Sequence, residues 1–346
     1  MTKPLSLGVA YHGNRLLRHV EQDLLDIVDH GFDRVVHMFS HNDWDRNRTI
    51  MKEIFDMTSG LGLDFWVDNW GLGGTPGDKS HFLCYHPEAH QIYSDGEMRP
   101  VNVCFNSPAF HAFTHEWIDL VYDCGGRKIF WDEPSLSTKP DRFSCACPTC
   151  RALFREKYGH EMPVVPDDEV AEFQFDSIYN YFADVTAYAH DKGMYNAICV
   201  MLHKGIGFSL DTMDKIAALP YIDNIGSDPY WVGRKITGEE VYRFVYENAR
   251  RNVVLADEIG RDANLWVQGY NIPAGCEEDV VLAADAIYDA GARDIFVWGF
   301  RGCEANDYRA KNPDLTWRAV GAAMQRLRER ERDAARAQAR KSMGLE

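Results

Sequence analysis

Eight short runs of apolar, β-branched and aromatic residues recur along the chain, and longer amphipathic stretches separate most of them. This alternation constrains the fold more than any single motif. Strands covered on both faces read as near-continuous hydrophobic runs, and their alternation with helices calls for a parallel sheet. The runs are LSLGVAY (5–11), RVVHMFS (34–40), DFWVDNW (64–70), KIFWDEP (128–134), YNAICVM (195–201), IDNIGSDPYW (222–231), NVVLADEIG (252–260) and DIFVWGF (294–300). Helical patterns such as LLRHVEQDLLDIVDHGF, NRTIMKEIFDMTSGLGL and EEDVVLAADAIYDAGAR lie between them, each closing near a glycine suited to a left-handed C-cap. Eight such units in 346 residues predict an α/β chain of one domain, a (β/α)8 TIM barrel. The competing architecture, a doubly wound open sheet, would place a glycine-rich phosphate loop after the first strand, and none is there.

The barrel is expected over residues 1–330, with a charge-dense helical tail over 331–346. Long excursions follow the third strand (GLGGTPGDKSHFLCYHPEAHQIYSDGEMRPVNVCFNSPAF) and the fourth (SLSTKPDRFSCACPTCRALFREKYGHEMPVVPDDE). Both leave the C-terminal ends of the strands, where barrels of this kind build their sites.

The 53 acidic and 37 basic residues leave a formal charge of −16, which repels phosphate backbones and anionic headgroups. Nucleic acid and membrane are therefore not expected partners, and a small carbohydrate is. The oligomeric state stays open, a homo-oligomer included. The opening residues MTKPLSLGVAYHG show no apolar signal segment, so a cytoplasmic location is expected, with the nine cysteines reduced or bound to metal.

Cleavage of a glycosidic bond commonly uses one carboxylic acid to protonate the leaving oxygen and a second carboxylate to attack or to activate water. Glu133 ends the fourth run and Glu258 the seventh, on opposite sides of an eight-stranded barrel, and both are expected to be catalytic. Sugar rings present apolar faces beside hydroxyl edges, so aromatic platforms mixed with polar groups should surround them. Tyr11, Trp66, Trp70, Trp131, Tyr230, Trp231 and Trp298 lie at or near strand ends. Polar candidates on the same rim are His12, Asn14, His41, Asp68, Asn69, Asp132, His203, Asp228 and Arg301.

Cys145, Cys147 and Cys150 form a C-x-C-x-x-C triplet, a spacing that suits a structural zinc site of four thiolates. Cys104 in the preceding excursion is the leading fourth ligand, with Cys84 and Cys124 as competitors. No organic cofactor is expected.

The VNVCFNSPAF segment, the IFWDEP strand end and the SCACPTCRALFREKYG loop and helix together resemble the family-42 β-galactosidases, a barrel family of glycoside hydrolases, over about residues 5–300. The resemblance implies a retaining double displacement that releases a terminal sugar, with Glu133 as acid/base, Glu258 as nucleophile and zinc on Cys104, Cys145, Cys147 and Cys150. One departure stands beside the acid/base: Asp132 occupies the family's asparagine position, so galactose specificity is not inherited. Two alternatives use the same fold. One is a metal-dependent sugar isomerase or epimerase drawing on Glu133, His203, Asp228, Glu258 and Glu304; the other is a sugar-binding barrel without catalysis.

Overall fold

The computed structural model describes residues 3–70, 72, 81–202 and 207–343. Its strands are β1 (Ser6–Tyr11), β2 (Arg34–Met38), β3 (Asp64–Asp68), β4 (His90–Ile92), β5 (Met98–Val103), β6 (Lys128–Trp131), β7 (Tyr195–Cys199), β8 (Asn224–Ser227), β9 (Asp262–Gln268) and β10 (Asp294–Trp298). Eight of them close into a parallel barrel in the order β1-β10-β9-β8-β7-β6-β3-β2. The remaining two, β4 and β5, pair antiparallel as a hairpin in the excursion after β3. The expected (β/α)8 barrel is thus the observed fold.

Seven of the eight predicted runs contain a barrel strand, and the seventh does not. NVVLADE forms the last turns of the helix Glu239–Glu258, and the strand is the next segment, DANLWVQ. The buried face of that helix, Val241, Val245, Ala249, Asn252, Val253 and Ala256, has helical spacing that continues straight through the apolar run. Gly260, at φ 67°, ends it as the other capping glycines do. DANLWVQ is disguised by Asn264 and Gln268, polar residues that are buried in the barrel.

Successive strand residues alternate between the barrel axis and the helical layer. Ala10, Val36, Met38, Trp66, Phe130, Ala197, Cys199, Trp266 and Phe296 fill the interior as one apolar cluster. Helices such as Leu17–Asp29, Pro108–Asp123 and Glu278–Asp289 cover the outside through buried apolar stripes. The last helix runs unbroken from Pro313 to Ser342; Trp317, Val320, Met324 and Leu327 anchor it, and its residues beyond 331 are exposed. The expected tail is therefore a continuation of the final barrel helix.

At the N-terminal end of the strands the buried Asp294 and the half-buried Asp64 are paired with basic side chains. Asp294 meets Lys3 at 2.7 Å and Arg34 at 3.1 Å, while Asp64 meets Arg34 at 2.8 Å and Lys128 at 2.6 Å. Asn224 and Asn264 hydrogen-bond each other at 2.7 Å, and Asn224 donates to Asp294 at 2.9 Å. This polar plug passes close to Gly226. A Cβ there would lie 2.0 Å from the Asn264 side-chain oxygen and 2.3 Å from its backbone oxygen. Gly226→Ala should therefore destabilise the protein by about 3 kcal/mol or more, as overpacking of a rigid core does. Urea unfolding checks this, and a midpoint equal to wild type would refute the close packing.

Candidate active site

Alternation carries the interior pattern one step above the apolar cluster. Trp66 is followed two residues later by Asp68, Phe130 by Asp132, Gly226 by Asp228, Ala10 by His12 and Phe296 by Trp298. The rung that closes the C-terminal end of the core therefore carries three aspartates. Glu133 belongs to the opposite parity, but its φ of 33° turns the chain out of extended geometry and its side chain into the same cavity. A non-glycine residue in that backbone region is strained, a common feature of functional positions.

The cavity holds about 590 Å³ and is lined by His12, Trp70, Asp132, Glu133, Asp228, Tyr230, Tyr270, Trp298 and the loop from Cys303 to Tyr308. That size suits a small organic ligand. His12 is wedged edge-on between Trp70 and Trp298, each at 4.7 Å between ring centres, and Tyr230 meets Tyr270 edge-on at 5.2 Å. Asn69, at the end of β3, accepts a hydrogen bond from the Asp132 backbone at 3.1 Å and so locks the start of the Asp132–Glu133 turn.

The carboxyls shift one another. Burial pushes Asp68, Asp132 and Asp228 well above the ordinary carboxylate range, and the neighbouring acids push Asp132 and Asp228 further. Glu133 is raised by burial and eased down by a hydrogen bond from Asp228. Both members of the pair are thus raised, and Asp228, pressed also by the Glu133 charge, is raised well above the ordinary range. His12 is lowered by burial to about 4 and is neutral near pH 7. Asp68 is fully buried; one carboxyl oxygen accepts from the Trp70 backbone at 2.9 Å, and the other has no hydrogen-bond partner among the described residues.

Other expected site residues lie elsewhere. Glu258 ends a helix at the N-terminal side of β9 and is exposed, so it cannot meet Glu133 in a shared cavity; its assignment as nucleophile is overturned. Tyr11 has outward parity and donates to Asp23 at 2.7 Å beneath a helix. Trp131 likewise points outward, bonding Asn196 at 3.0 Å. Trp66 points inward but one rung too low, as core. Trp231 is buried, with its backbone tied to Gln268 at 2.9 Å. Arg301 is held by Asp26, Glu304 and Asp314 and lines, with Asn14, a smaller adjoining cavity of about 310 Å³. His41 is buried away from the cavity and accepts from the Phe82 backbone at 3.0 Å. His203 lies outside the described residues. Tyr270 and the loop Asn306-Asp307-Tyr308 line the cavity without having been singled out. Tyr270 was concealed by the misplaced seventh strand, and the loop carries no motif.

The four expected cysteines do come together. Cys104, Cys145, Cys147 and Cys150 are buried, with all four sulfurs within 4.8 Å of one another. Cys104 stands 3.4 Å from Cys150 and 3.7 Å from Cys147, close to the about 3.8 Å edge of a tetrahedral thiolate site with metal–sulfur bonds of about 2.3 Å. Asn106 donates to the Cys150 sulfur at 3.3 Å, the kind of outer contact that orients a ligand. The group can hold a metal ion. Among the described residues no other set of three or more histidine, cysteine or carboxylate groups converges so closely.

No protein-family model matches the sequence, and no curated protein matches it. Solved structures share the fold. The catalytic domain of a β-amylase from Paenibacillus polymyxa superposes with a TM-score of 0.63 at 10% identity, covering 93% of this chain and 99% of that one. An endo-β-1,4-mannanase from Thermotoga petrophila gives 0.58 at 11% identity over 94% and 77%. A D-allulose 3-epimerase from Methylomonas sp. gives 0.49 at 13% identity over 94% and 100%. The likeness to the β-amylase domain and the mannanase, at these identities, establishes the barrel fold alone.

A raised carboxyl keeps its proton in the folded state at pH values where the unfolded chain, with its carboxyls near 4, has lost it. Its contribution to stability is therefore greatest at low pH and is lost as pH rises from about 4 through the raised folded value. Asp68→Asn deletes one such titration while keeping the oxygen that accepts from Trp70. Between pH 5 and pH 8 the variant should lose less stability than wild type, by about 1–3 kcal/mol. Parallel pH profiles in urea unfolding would show that Asp68 carries no such burden.

Proposed function

We propose that this chain is a glycoside hydrolase whose working carboxyls are Glu133 and Asp228. The observation that carries the reading is that both carboxyls line one aromatic-walled cavity at the C-terminal mouth of the barrel, near enough for each to shift the other. They act from one side of the sugar as a unit that holds one proton between them. In the free protein the proton sits on Asp228. With a glycoside bound, Glu133 passes it to the leaving oxygen and then takes one from the incoming water, Asp228 serving as its reservoir. Asp132, beside them in the cavity, stabilises the positive charge that develops on the ring. Trp70, Trp298, Tyr230 and Tyr270 provide faces for the apolar side of the sugar. The β-amylase and mannanase that share the barrel act on sugars, which agrees with this reading.

A screen of aryl glycosides of both anomers tests it. Glu133→Gln and Asp228→Asn should each lower kcat by about 10²–10⁴, while Glu258→Ala should match wild type. Activity should fall as pH rises through the upper, raised titration of the pair. Wild-type rates in both carboxyl variants would sink the assignment.

In the same reading the four thiols hold structural zinc. When bound, zinc would supply cross-linking alone, joining the segment after β5 to the loop that begins at Glu133. Elemental analysis of the purified protein should find about one zinc per chain, and Cys150→Ser should lose it with a drop of several kcal/mol in stability. Protein without metal but with full stability would refute the clip.

A further inference from the structure

We propose that the sugar ring taken by this cavity carries a protonated amine, so that the substrate class is glycosides of amino sugars with a free ammonium group. The inference rests on the hydrolase reading for its glycoside and on separate observations for its charge. The two ends of the barrel treat acidic side chains in opposite ways. At the N-terminal end Asp64 and Asp294 each meet two basic side chains within 3.1 Å. At the C-terminal end Asp68, Asp132, Glu133 and Asp228 have one another as acidic neighbours, and among the described residues no lysine or arginine lines their cavity. His12, the basic side chain in the wall, is neutral near pH 7.

A glycosidase acting on a neutral ring needs a proton donor and a carboxylate, and Glu133 with Asp228 already meets that need. Asp132 and Asp68 are additional. Asp68 is fully buried under this floor by the parity of β3, and one of its oxygens has no hydrogen-bond partner among the described residues. Burying such a group is unfavourable unless a bound cation compensates it.

The surroundings choose the kind of cation. A divalent metal ion would need several oxygen ligands converging on one point, and among the described residues the carboxyls do not gather three ligand atoms as the cysteines do. Trp70, Trp298, Tyr230 and Tyr270 instead line the cavity with aromatic rings, and ring faces attract an organic ammonium. An amine on the sugar would meet Asp132 directly, and its positive charge would favour ionisation of Asp132 and of Asp68 beneath it.

Titration calorimetry on the full chain at pH 6 tests this, using glucosamine, galactosamine and mannosamine beside their N-acetyl and neutral parent sugars. At least one free amine should bind ten-fold or more tighter than both counterparts. Asp132→Asn should erase that preference, and Asp68→Asn should reduce it several-fold, with thermal melting used to verify that each variant folds. Equal or tighter binding of the neutral or acetylated sugars overturns the proposal, as do binding that requires added Mg²⁺, Mn²⁺ or Ca²⁺, a preference unchanged in folded Asp132→Asn, and failure of every sugar to bind. If the amine preference is missing while neutral aryl glycosides are cleaved with dependence on Glu133, this inference falls and the hydrolase reading stands. If the preference is present and no aryl glycoside is cleaved, the hydrolase reading falls and the amine site stands.

Discussion

The structure depends on lateral pairing of eight parallel strands in a register that lets side chains alternate between axis and helical layer. Once that register is set, the interior is a stack of rungs. The middle of the stack is apolar, with Trp66, Phe130, Trp266 and Phe296 in contact. Two residues further along each strand the same parity delivers Asp68, Asp132 and Asp228 to the mouth of the barrel. No loop has to be folded specially to bring these acids together. Glu133 is the exception, and its left-handed backbone is what adds a fourth carboxyl to the group.

Much of this was legible in the sequence, and the misses have definite physical causes. Seven strands, the capping glycines and the thiol cluster stood out because burial on both faces, left-handed caps and metal-ligand spacing leave strong local signatures. The seventh strand failed because a helix that ends in NVVLADE shows an apolar run, whereas the true strand buries Asn264 and Gln268 to pair with Asn224 and with the backbone at Trp231 and Val232. That one displacement produced both the false nucleophile Glu258 and the omission of Tyr270. Tyr11 and Trp131 were misjudged for another reason. Aromatics at strand ends alternate in direction, and parity is knowable only when the register is known.

The long excursions after β3 and β6 are fastened to one another by more than the thiols. Gln91 on β4 accepts from Ser144 at 2.7 Å and from Arg99 at 2.7 Å, and the backbone of Ala146 donates to Ile92 at 2.7 Å. The loop that leaves Glu133 is anchored at Ser135 by pairing with Gly207 and at Ser144 by pairing with Tyr93. The strained turn at Glu133 is thus held from both sides: by Asn69 on the strand side and by the stapled hairpin beyond. Such over-determination is what allows an unfavourable backbone conformation to persist.

The opposed ends of the barrel suggest how stability and chemistry are divided in one sheet. Paired charges and an amide plug close the N-terminal end, where satisfied polar groups favour a single packing. At the other end, the same strands present acids that repel one another and hold protons they would lose in water. That arrangement weakens the folded state on its own, yet it keeps a proton donor ready near neutral pH and supplies acids that ionise more readily when positive charge occupies the cavity. The barrel tolerates the unfavourable end because its register is fixed elsewhere, by the apolar cluster and by the compensated charges below it.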